Sequence, residues 1–481
     1  MKGSNLASVD VGDLVLCGDK SPKHAQLFEA IRTKIVSGMW RNRAQLPSTR
    51  ALAEEMDLSR NTVISAYEQL VAEGYVESRR GAGYYVAVTL PERFIDAKVA
   101  PKLLNRAVKT APLNGAFSPG VPDLEQFPNA KWQRFITLHS SRSSLLGNQS
   151  RQGYLPLRET LSDYLSSSRS VRCDPRRIVI TSGAQQALSI ALLATLERQD
   201  KVLMEQPGYA QMTKVIEILG YQLEPVEVIA GQGFDIQRVF NSDAKALYIT
   251  PSNQYPMGTT LNTEQRLELI EWAKQRGSWI IEDDYDSEFQ FAHRPYTSLQ
   301  GLAANIGLDE RVIYVGSFSK TLFNGLRLGY MVVPESLIEP CLALKNILSG
   351  DSPTHTQAAL SDFIVEGEFL RHVRKMRRLY KHKHQAMLAA IKHEFGDDID
   401  VISQAAGLHI TLKWQQGIDE RTWVELAAKQ NIVLRPLSYY ESSLAPARDW
   451  HGVVLGFGNA ALSQIEPLMA QLAKIFYQHR T

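Results

Sequence analysis

Ser317-Phe318-Ser319-Lys320-Thr321-Leu322-Phe323-Asn324-Gly325-Leu326-Arg327-Leu328-Gly329-Tyr330 follows at once on the apolar run Val312-Ile313-Tyr314-Val315. A four-residue β-branched and aromatic run reads as a strand buried on both faces. Lys320 then stands just past the strand's end. A lysine there, once its ammonium is deprotonated, can form a Schiff base with an aldehyde. Ser317, Ser319 and Arg327 beside it can hold a phosphate. The bland alternative is a surface lysine beside a serine-rich turn, and the Gly325-x-Arg327 completion weighs against it.

Four more segments repeat this arrangement of strand followed by polar turn. Ile178-Val179-Ile180 precedes Thr181-Ser182-Gly183-Ala184-Gln185-Gln186, which opens a helix whose first backbone N–H groups suit an anion. Lys201-Val202-Leu203-Met204 precedes Glu205-Gln206-Pro207-Gly208-Tyr209, placing an aromatic where it can stack on a flat ring. Ala246-Leu247-Tyr248-Ile249 precedes Thr250-Pro251-Ser252-Asn253, whose amide can reach a ring hydroxyl. Trp279-Ile280-Ile281 precedes Glu282-Asp283-Asp284-Tyr285-Asp286-Ser287-Glu288. An acid at that strand end can keep a pyridine nitrogen protonated. A calcium or magnesium loop is the other reading of so many acids, but the glycine and register of an EF-hand are missing. Buried strands alternating with amphipathic stretches predict an α/β body with a largely parallel sheet, and all five turns then gather along one edge of it. No single one of these signals is strong. Packing needs alone do not supply an aldehyde-reactive lysine, an acid, a stacking ring and two phosphate anchors in one order.

Composition sets the frame. The chain has 481 residues, 44% of them hydrophobic and 22% charged, enough for several cores and unlike a disordered or collagenous chain. Formal net charge is +2, so any nucleic-acid surface must be a local patch. Cys17, Cys173 and Cys341 make no CxxC and no zinc spacing, which reads as inert thiols with no metal site. No uncharged apolar run has the length of a membrane span, and Asp10 and Asp13 lie where a signal peptide needs an apolar stretch. A soluble cytoplasmic protein with no membrane partner is expected.

Residues 1–20 read as a loose arm, 20–88 as a compact module, 89–116 as a Pro- and Lys-containing linker with a possible helical turn at 102–108, and 117–481 as the α/β body. The smaller C-terminal α/β lobe of that body runs over about 345–481 and begins with a basic helical stretch, Arg371 to Lys383. In the first module, Leu27, Ile31, Ile35 and Met39 recur every four residues and predict a helix over 24–39. A second helix follows, capped by Ser48 or Thr49. Ser59 caps a third, which stops at Gly74. Its inward stripe is Val63, Ala66, Tyr67 and Leu70, while Arg60, Asn61, Thr62 and Ser65 project elsewhere. This is a helix-turn-helix whose third helix can enter a major groove, where Arg60 pairs with guanine edges or phosphates. Glu77-Ser78-Arg79-Arg80-Gly81-Ala82-Gly83, between short strands at Tyr75-Val76 and Tyr84-Tyr85-Val86, reads as a glycine-tipped wing. Nine Lys/Arg against seven Asp/Glu over residues 21–88 leave the charge balance undecided between DNA and a solvated adaptor.

Leu46-Pro47-Ser48-Thr49-Arg50, Ser59-Arg60-Asn61-Thr62-Val63, Tyr67, Leu70, Glu73-Gly74-Tyr75 and Gly81-x-Gly83 together resemble the winged helix of the GntR superfamily. The resemblance implies that Arg50, Ser59, Arg60, Asn61, Thr62 and Gly81 contact double-stranded operator DNA. It departs at Arg43, where family members often carry glycine. Residues 115–480 resemble the fold-type I pyridoxal-phosphate aminotransferases. The two together resemble the MocR/GabR-type regulators: a multidomain chain with an N-terminal winged helix-turn-helix and an aminotransferase-like body. That resemblance implies pyridoxal 5′-phosphate as cofactor, with Lys320 as its covalent anchor. It implies Asp283 (or Asp284) at the pyridine nitrogen, Tyr285 and Asn253 at the ring oxygen, and Tyr209 stacked on the ring. Gly183, Ala184, Gln185, Ser317, Ser319 and Arg327 would take the phosphate. It also implies a head-to-tail homodimer.

The carboxylate clamp departs from the enzymes. The late strand that carries an arginine in amino-acid aminotransferases reads Val453-Val454-Leu455-Gly456-Phe457-Gly458. Arg435 is a replacement anchor for an effector carboxylate, as in GABA-responsive members, or else a solvated turn residue. Those members carry a further arginine where Gln211 stands, which argues against GABA itself. The expected function is a regulator that senses an amine or amino acid, or the cofactor itself. The alternative is a working aminotransferase with an accessory DNA module.

Overall fold

The computed structural model describes residues 9, 11, 12, 14, 16, 21–88, 115–229, 233–291, 296–403, 405–444, 446 and 448–479. The expected linker over 89–116 lies outside them but for its last two residues, as do Cys17 and most of the leading arm. Two compact units divide at Lys109, and each is described by itself.

The first unit holds α1 (Lys23–Val36), α2 (Thr49–Glu55), α3 (Arg60–Ala72) and the antiparallel pair β1 (Val76–Arg79) and β2 (Gly83–Val86). Ser48, not Thr49, caps α2 by accepting from the Ala51 N–H at 3.1 Å. Ser59 caps α3 by accepting from Thr62 N–H, also at 3.1 Å. Gly74 ends the third helix region at φ +79°, a conformation that costs glycine nothing. Leu27, Ile31, Ile35, Val63, Tyr67 and Leu70 form one core, as their spacing predicts. Two expectations need correction. Met39 is left exposed, because α1 stops at Val36 and Phe28 takes the fourth place in its buried stripe. Val11 and Leu14, in the supposedly loose arm, are buried in this core, which the three helices alone leave open. Arg43, where related modules often carry glycine, holds φ +69° while its N–H donates to the Val86 carbonyl. The left-handed turn is therefore kept without glycine, at the steric cost that L-residues meet there.

The second unit is built on an eight-stranded sheet. Its strands are β3 (Ile178–Thr181), β4 (Lys201–Gln206), β5 (Gln222–Ile229), β6 (Gly233–Phe234), β7 (Ala246–Ile249), β8 (Trp279–Asp284), β9 (Val312–Ser317) and β10 (Gly329–Val332). Their spatial order is β3-β10-β9-β8-β7-β4-β5-β6. The central pairs are parallel, while β10 runs antiparallel between β3 and β9. Alternate residues enter opposite core layers: Ile178 and Ile180 go to one, Val179 to the other. This two-sided burial is why these strands are continuous apolar runs. Because β3, β4, β7, β8 and β9 run the same way, their carboxyl ends share one edge, where open α/β sheets hold their ligands.

The C-terminal lobe adds a smaller antiparallel sheet, β11 (Asp400–Val401), β12 (His409–Trp414), β13 (Arg435–Pro436) and β14 (His451–Gly456), in the order β11-β12-β14-β13. The 28-residue helix Glu368–Phe395 packs Met376, Tyr380, Met387 and Ile391 into this lobe's core.

Candidate functional site

The carboxyl edge of the large sheet closes over a cavity of about 310 Å³. Ala184, Gln185, Tyr209, Asp283, Tyr285, Ser317, Ser319, Lys320, Arg327 and Arg435 all line it. Sequence-derived candidates from four of the five turns, with Arg435, thus meet in one place. Two stand just behind the wall. Gly183 opens the helix Ala184–Thr195 with no side-chain cap, and a Cβ there would press on the Arg327 guanidinium at 3.4 Å. Asn253 donates its amide to the Tyr285 hydroxyl at 3.0 Å and to Asp286 at 3.0 Å.

Strand alternation separates the neighbouring acids of β8. Asp284 is turned away from the cavity into a buried ion pair with Arg169 at 2.7 Å and accepts from the Tyr314 hydroxyl. Glu282 points the same way and accepts the N–H groups of Leu299 and Gln300, each at 2.9 Å. Asp283 faces the cavity. One oxygen accepts from Tyr248 at 2.8 Å, and the other is buried without a partner among the described residues. Burial pushes the Asp283 carboxyl up to about 7, against the opposing Tyr248 hydrogen bond.

Lys320 donates to the backbone carbonyl of Gly120, which also accepts the Asn324 amide at 3.3 Å. Burial lowers its ammonium to about 8, and the nearby charges of Asp286 and Asp283 limit that fall. A side chain at Gly120, which holds φ +78°, would run into the amine. The same short segment continues to Asp123. There the carboxylate pairs with buried Lys383 at 2.7 Å and the backbone N–H donates to the Tyr380 hydroxyl at 2.9 Å. The amine of Lys320 is therefore tied through Gly120 to the helix of the smaller lobe.

The guanidiniums of Arg327 and Arg435 have no hydrogen-bond or ion-pair partner among the described residues, although Arg435 lies 5.3 Å over the Tyr439 ring. Arg327 holds φ +51° beside the uncapped helix start. A strained backbone, a free guanidinium and open helix N–H groups in one corner make an anion site. Arg435 stands apart from that corner on β13, with Tyr439 and Tyr440 following it. Gln211 donates to the Tyr439 hydroxyl at 3.3 Å. In β14, Gly456 packs against the Ser118 carbonyl so closely that no side chain fits, which explains why this strand carries no cation there.

Several contributors were not among the candidates, Tyr248 beside Asp283 being one. Asp286 lines the cavity, and burial raises its carboxyl to about 8. His409, at the start of β12, bonds the Pro256 carbonyl at 3.1 Å and is held neutral by burial, down to about 4. Gly120 and Gly407 are chosen by crowding, since a side chain at Gly407 would collide with Asp286 and Asn253. Asp286 sits within the acid string and could have been read there. The others carry no signal at a strand end.

The winged-helix candidates are arranged as follows. Arg50, Ser59, Arg60 and Asn61 are exposed, Thr62 is half-buried, and Gly81 tips the wing at φ +76° in open space. The Ser59 and Thr62 hydroxyls bond each other at 2.8 Å. Arg79 and Arg80 are both exposed, but Arg79 pairs with Glu77 and lies 4.4 Å over the Tyr85 ring, so among the described residues Arg80 is the wing's unpaired cation.

Among the described residues no cluster of His, Cys, Asp or Glu is placed to hold a metal, and no helix is long and apolar enough to cross a membrane. Cys341 is buried and its thiol is pushed up to about 12, while the half-buried Cys173 is pushed to about 11.

Residues 117–449 match the profile of the aminotransferase class I and II family, and residues 23–86 that of the gntR family of bacterial regulatory proteins. The probable rhizopine catabolism regulatory protein MocR of Rhizobium meliloti is 34% identical, covering 91% of this chain and 90% of its own. The HTH-type pyridoxine biosynthesis transcriptional regulator PdxR of Corynebacterium glutamicum is 29% identical, covering 93% and 94%. Among solved structures, the α-aminoadipate aminotransferase LysN of Thermus thermophilus, in complex with N-(5′-phosphopyridoxyl)-L-leucine, superposes with a TM-score of 0.69 at 24% identity over 76% of this chain and 92% of that one.

Proposed function

The chain belongs to the MocR-type helix-turn-helix transcriptional regulators, and from that premise we propose that it reads the level of a carboxylate-bearing amine through pyridoxal phosphate held in the Lys320 cavity. It is a DNA-binding regulator whose aminotransferase-like body takes pyridoxal phosphate.

The residues present suit that group. Its phosphate matches the corner made by Arg327, Gly183 and the start of the helix Ala184–Thr195, with the hydroxyls of Ser317 and Ser319 at hand. Its ring nitrogen would answer the orphaned oxygen of Asp283, which is the observation that carries the assignment. Tyr209 offers a flat ring, and Tyr285 with Asn253 offers donors for the ring oxygen. When bound, the cofactor supplies an aldehyde for an amine and a ring that draws electrons from the carbon next to it.

The protein's own groups do the rest. Burial keeps part of the Lys320 amine neutral near physiological pH, and only the neutral amine is a nucleophile. Asp283, buried beside Tyr248, holds a proton or a charge for the ring nitrogen. Arg435 is free for the carboxylate of an incoming amine, and Gln211 rather than a second arginine faces it across Tyr439. When Lys320 lets go of the Gly120 carbonyl, the segment from Gly120 to Asp123 loses one of its holds. Asn324 still donates to that carbonyl, and Lys383 and Tyr380 of the smaller lobe still hold Asp123. A shift of that segment is how the cavity's state would reach the DNA-binding unit, a two-state change biased by the effector.

At the DNA, Arg50, Arg60 and Asn61 are exposed to a duplex, Ser59 and Thr62 present the helix start, and Gly81 lets the wing approach phosphate. A cytoplasmic location is consistent with a protein that must reach operator DNA. A homodimer through the body is supported by exposed Leu146, Ile347 and Leu348. They lie on neighbouring segments joined by the Lys345–Arg151 and Asp351–Gln149 hydrogen bonds.

The test is a spectral titration. The protein loaded with pyridoxal phosphate should be yellow and lose its absorbance band in Lys320→Ala. Amino acids and simple amines added in turn should shift the band, and those that shift it should change operator affinity. Arg435→Gln should weaken the response to amino acids and spare that to amines without a carboxylate. A spectrum indifferent to every amine while free cofactor alone alters operator binding would replace the amine reading with cofactor sensing. Sustained keto-acid production at enzyme rates would favour a working aminotransferase.

A further inference from the structure

The helix Glu368–Phe395 carries a feature that the cavity does not use. Residues 369–393 contain eight of the chain's 53 Lys/Arg and none of its 51 Asp/Glu. Against a net charge of +2, this is where positive charge is concentrated. Two of the eight are spent inside: Lys383 on Asp123, and Arg377 on the Glu288 carbonyl at 2.6 Å. Of the other six, Lys392 pairs with Asp397 near the helix end. Arg371, Arg374, Lys375, Arg378 and Lys381 are exposed, with His382 exposed among them. At 3.6 residues per turn they fall within an arc of about 120°, opposite the buried stripe of Val373, Met376, Tyr380 and Met387, and they extend along about 16 Å of the axis.

Beyond Arg371, nothing packed beside this helix pairs with the stripe among the described residues. Glu368 pairs with Arg371 and Lys131 at the helix start, and Glu366 pairs with Arg134. Arg374, Lys375, Arg378, Lys381 and His382 have no hydrogen-bond or ion-pair partner among the described residues. Like charges three and four apart on a helix repel, and the stripe lies mid-helix, where the dipole gives no help. Local stability therefore does not account for it. The helix's apolar face is already buried, Val373 in the core beside the large sheet and Met376, Tyr380 and Met387 in that of the lobe, so the stripe has no apolar partner surface with which to enter a bilayer.

We propose that this stripe is a second DNA contact, a sequence-independent cradle for the phosphate backbone of duplex that flanks the operator core. The inference rests on the DNA-binding reading above and extends it from the winged helix to the aminotransferase-like body. The four unpaired cations Arg374, Lys375, Arg378 and Lys381 span about 10 Å of the axis and face roughly three to four phosphates of one strand, whose axial spacing is about 3.4 Å. Such contacts add affinity and salt dependence, not sequence choice.

The test uses the full chain loaded with cofactor. A duplex is selected by the wild-type protein from random sequence, then made in a short form and in a form extended by about two helical turns of unselected sequence on each side. The variant replaces Arg374, Lys375, Arg378 and Lys381 by Gln, and an unchanged cofactor spectrum reports its fold. Wild type should bind the long duplex more tightly than the short one and with a steeper salt dependence. The variant should lose that preference, with the log–log salt slope on the long duplex shallower by about two to four, and keep its affinity for the short one. Equal slopes for wild type and variant on both duplexes would overturn the cradle while leaving the winged helix intact. A stripe-dependent binding to phosphatidylserine vesicles, with no effect on either duplex, would assign the stripe to a membrane surface instead. Failure of wild type to select any duplex would overturn the DNA-binding reading itself, and the cradle with it.

Discussion

At the scale of single residues, burial sets the chemistry of the cavity. Lys320 is lowered to about 8 from 10.5, chiefly by desolvation, which disfavours its charged form. The rate at which cofactor-free protein takes up pyridoxal phosphate should therefore climb with pH only until about 8 and then level. Stopped-flow absorbance over a pH series checks this, and a rate still climbing towards 10.5 would contradict it. Asp283 and Asp284 make a second comparison. Asp284→Asn leaves Arg169 as a buried unpaired charge and should cost about 3–5 kcal/mol of stability. Asp283→Asn retains an acceptor for Tyr248 and should leave the cofactor-free melting temperature near wild type while altering the cofactor's absorbance. Equal melting losses in the two variants would reverse the assignment. The pair was ambiguous in the sequence because both acids end the same apolar run. Strand alternation sends them to opposite faces in any register, and only the placement of β8 in the sheet, with Asp283 beside Val315 and Asp284 beside Gly316, decides which one meets the cavity.

Among the elements, α3 carries two duties at its first turn. Ser59 caps the helix, and it also stands where DNA contacts are expected. Ser59→Ala should lower stability by about 1 kcal/mol, seen in the melting of the winged-helix unit. Ser59→Asp keeps a capping acceptor and favours the helix dipole, so stability should hold, but its negative charge should weaken operator binding. If Ser59→Asp binds operator as wild type does, Ser59 only caps. This helix was legible in advance because its cap, its inward stripe and its glycine stop are all local signals. The leading arm was not. Val11 and Leu14 look like scattered apolar residues until the three helices leave an opening for them.

Over the molecule as a whole, the segment from Gly120 to Asp123 links the lysine to the smaller lobe. Asp123→Asn weakens the hold on Lys383 without entering the cavity. The cofactor spectrum and its shift with an effective amine should survive, while the accompanying change in operator affinity should shrink by about tenfold or more, given coupling energies of roughly 1–3 kcal/mol. A full operator response in this variant, measured by titrating DNA with and without the amine, would remove the segment from the route.

Two modules, the three helices and hairpin of the first, five strands of the large sheet, the aldehyde-reactive lysine and its gathering with four other turns at one sheet edge could be read from residue order, while the antiparallel β10 and the strands β5 and β6 beyond β4 could not. Periodicity, caps and strand ends are short-range properties, and chain direction in a parallel sheet does the gathering. The carbonyl that receives Lys320 lies 200 positions away, the acid held by Lys383 lies 260 away, and the space that forbids a side chain at Gly407 is filled by Asp286 and Asn253. Those pairings, and which of two adjacent acids meets the cavity, follow from close packing between distant segments, so they exist only once the chain is folded.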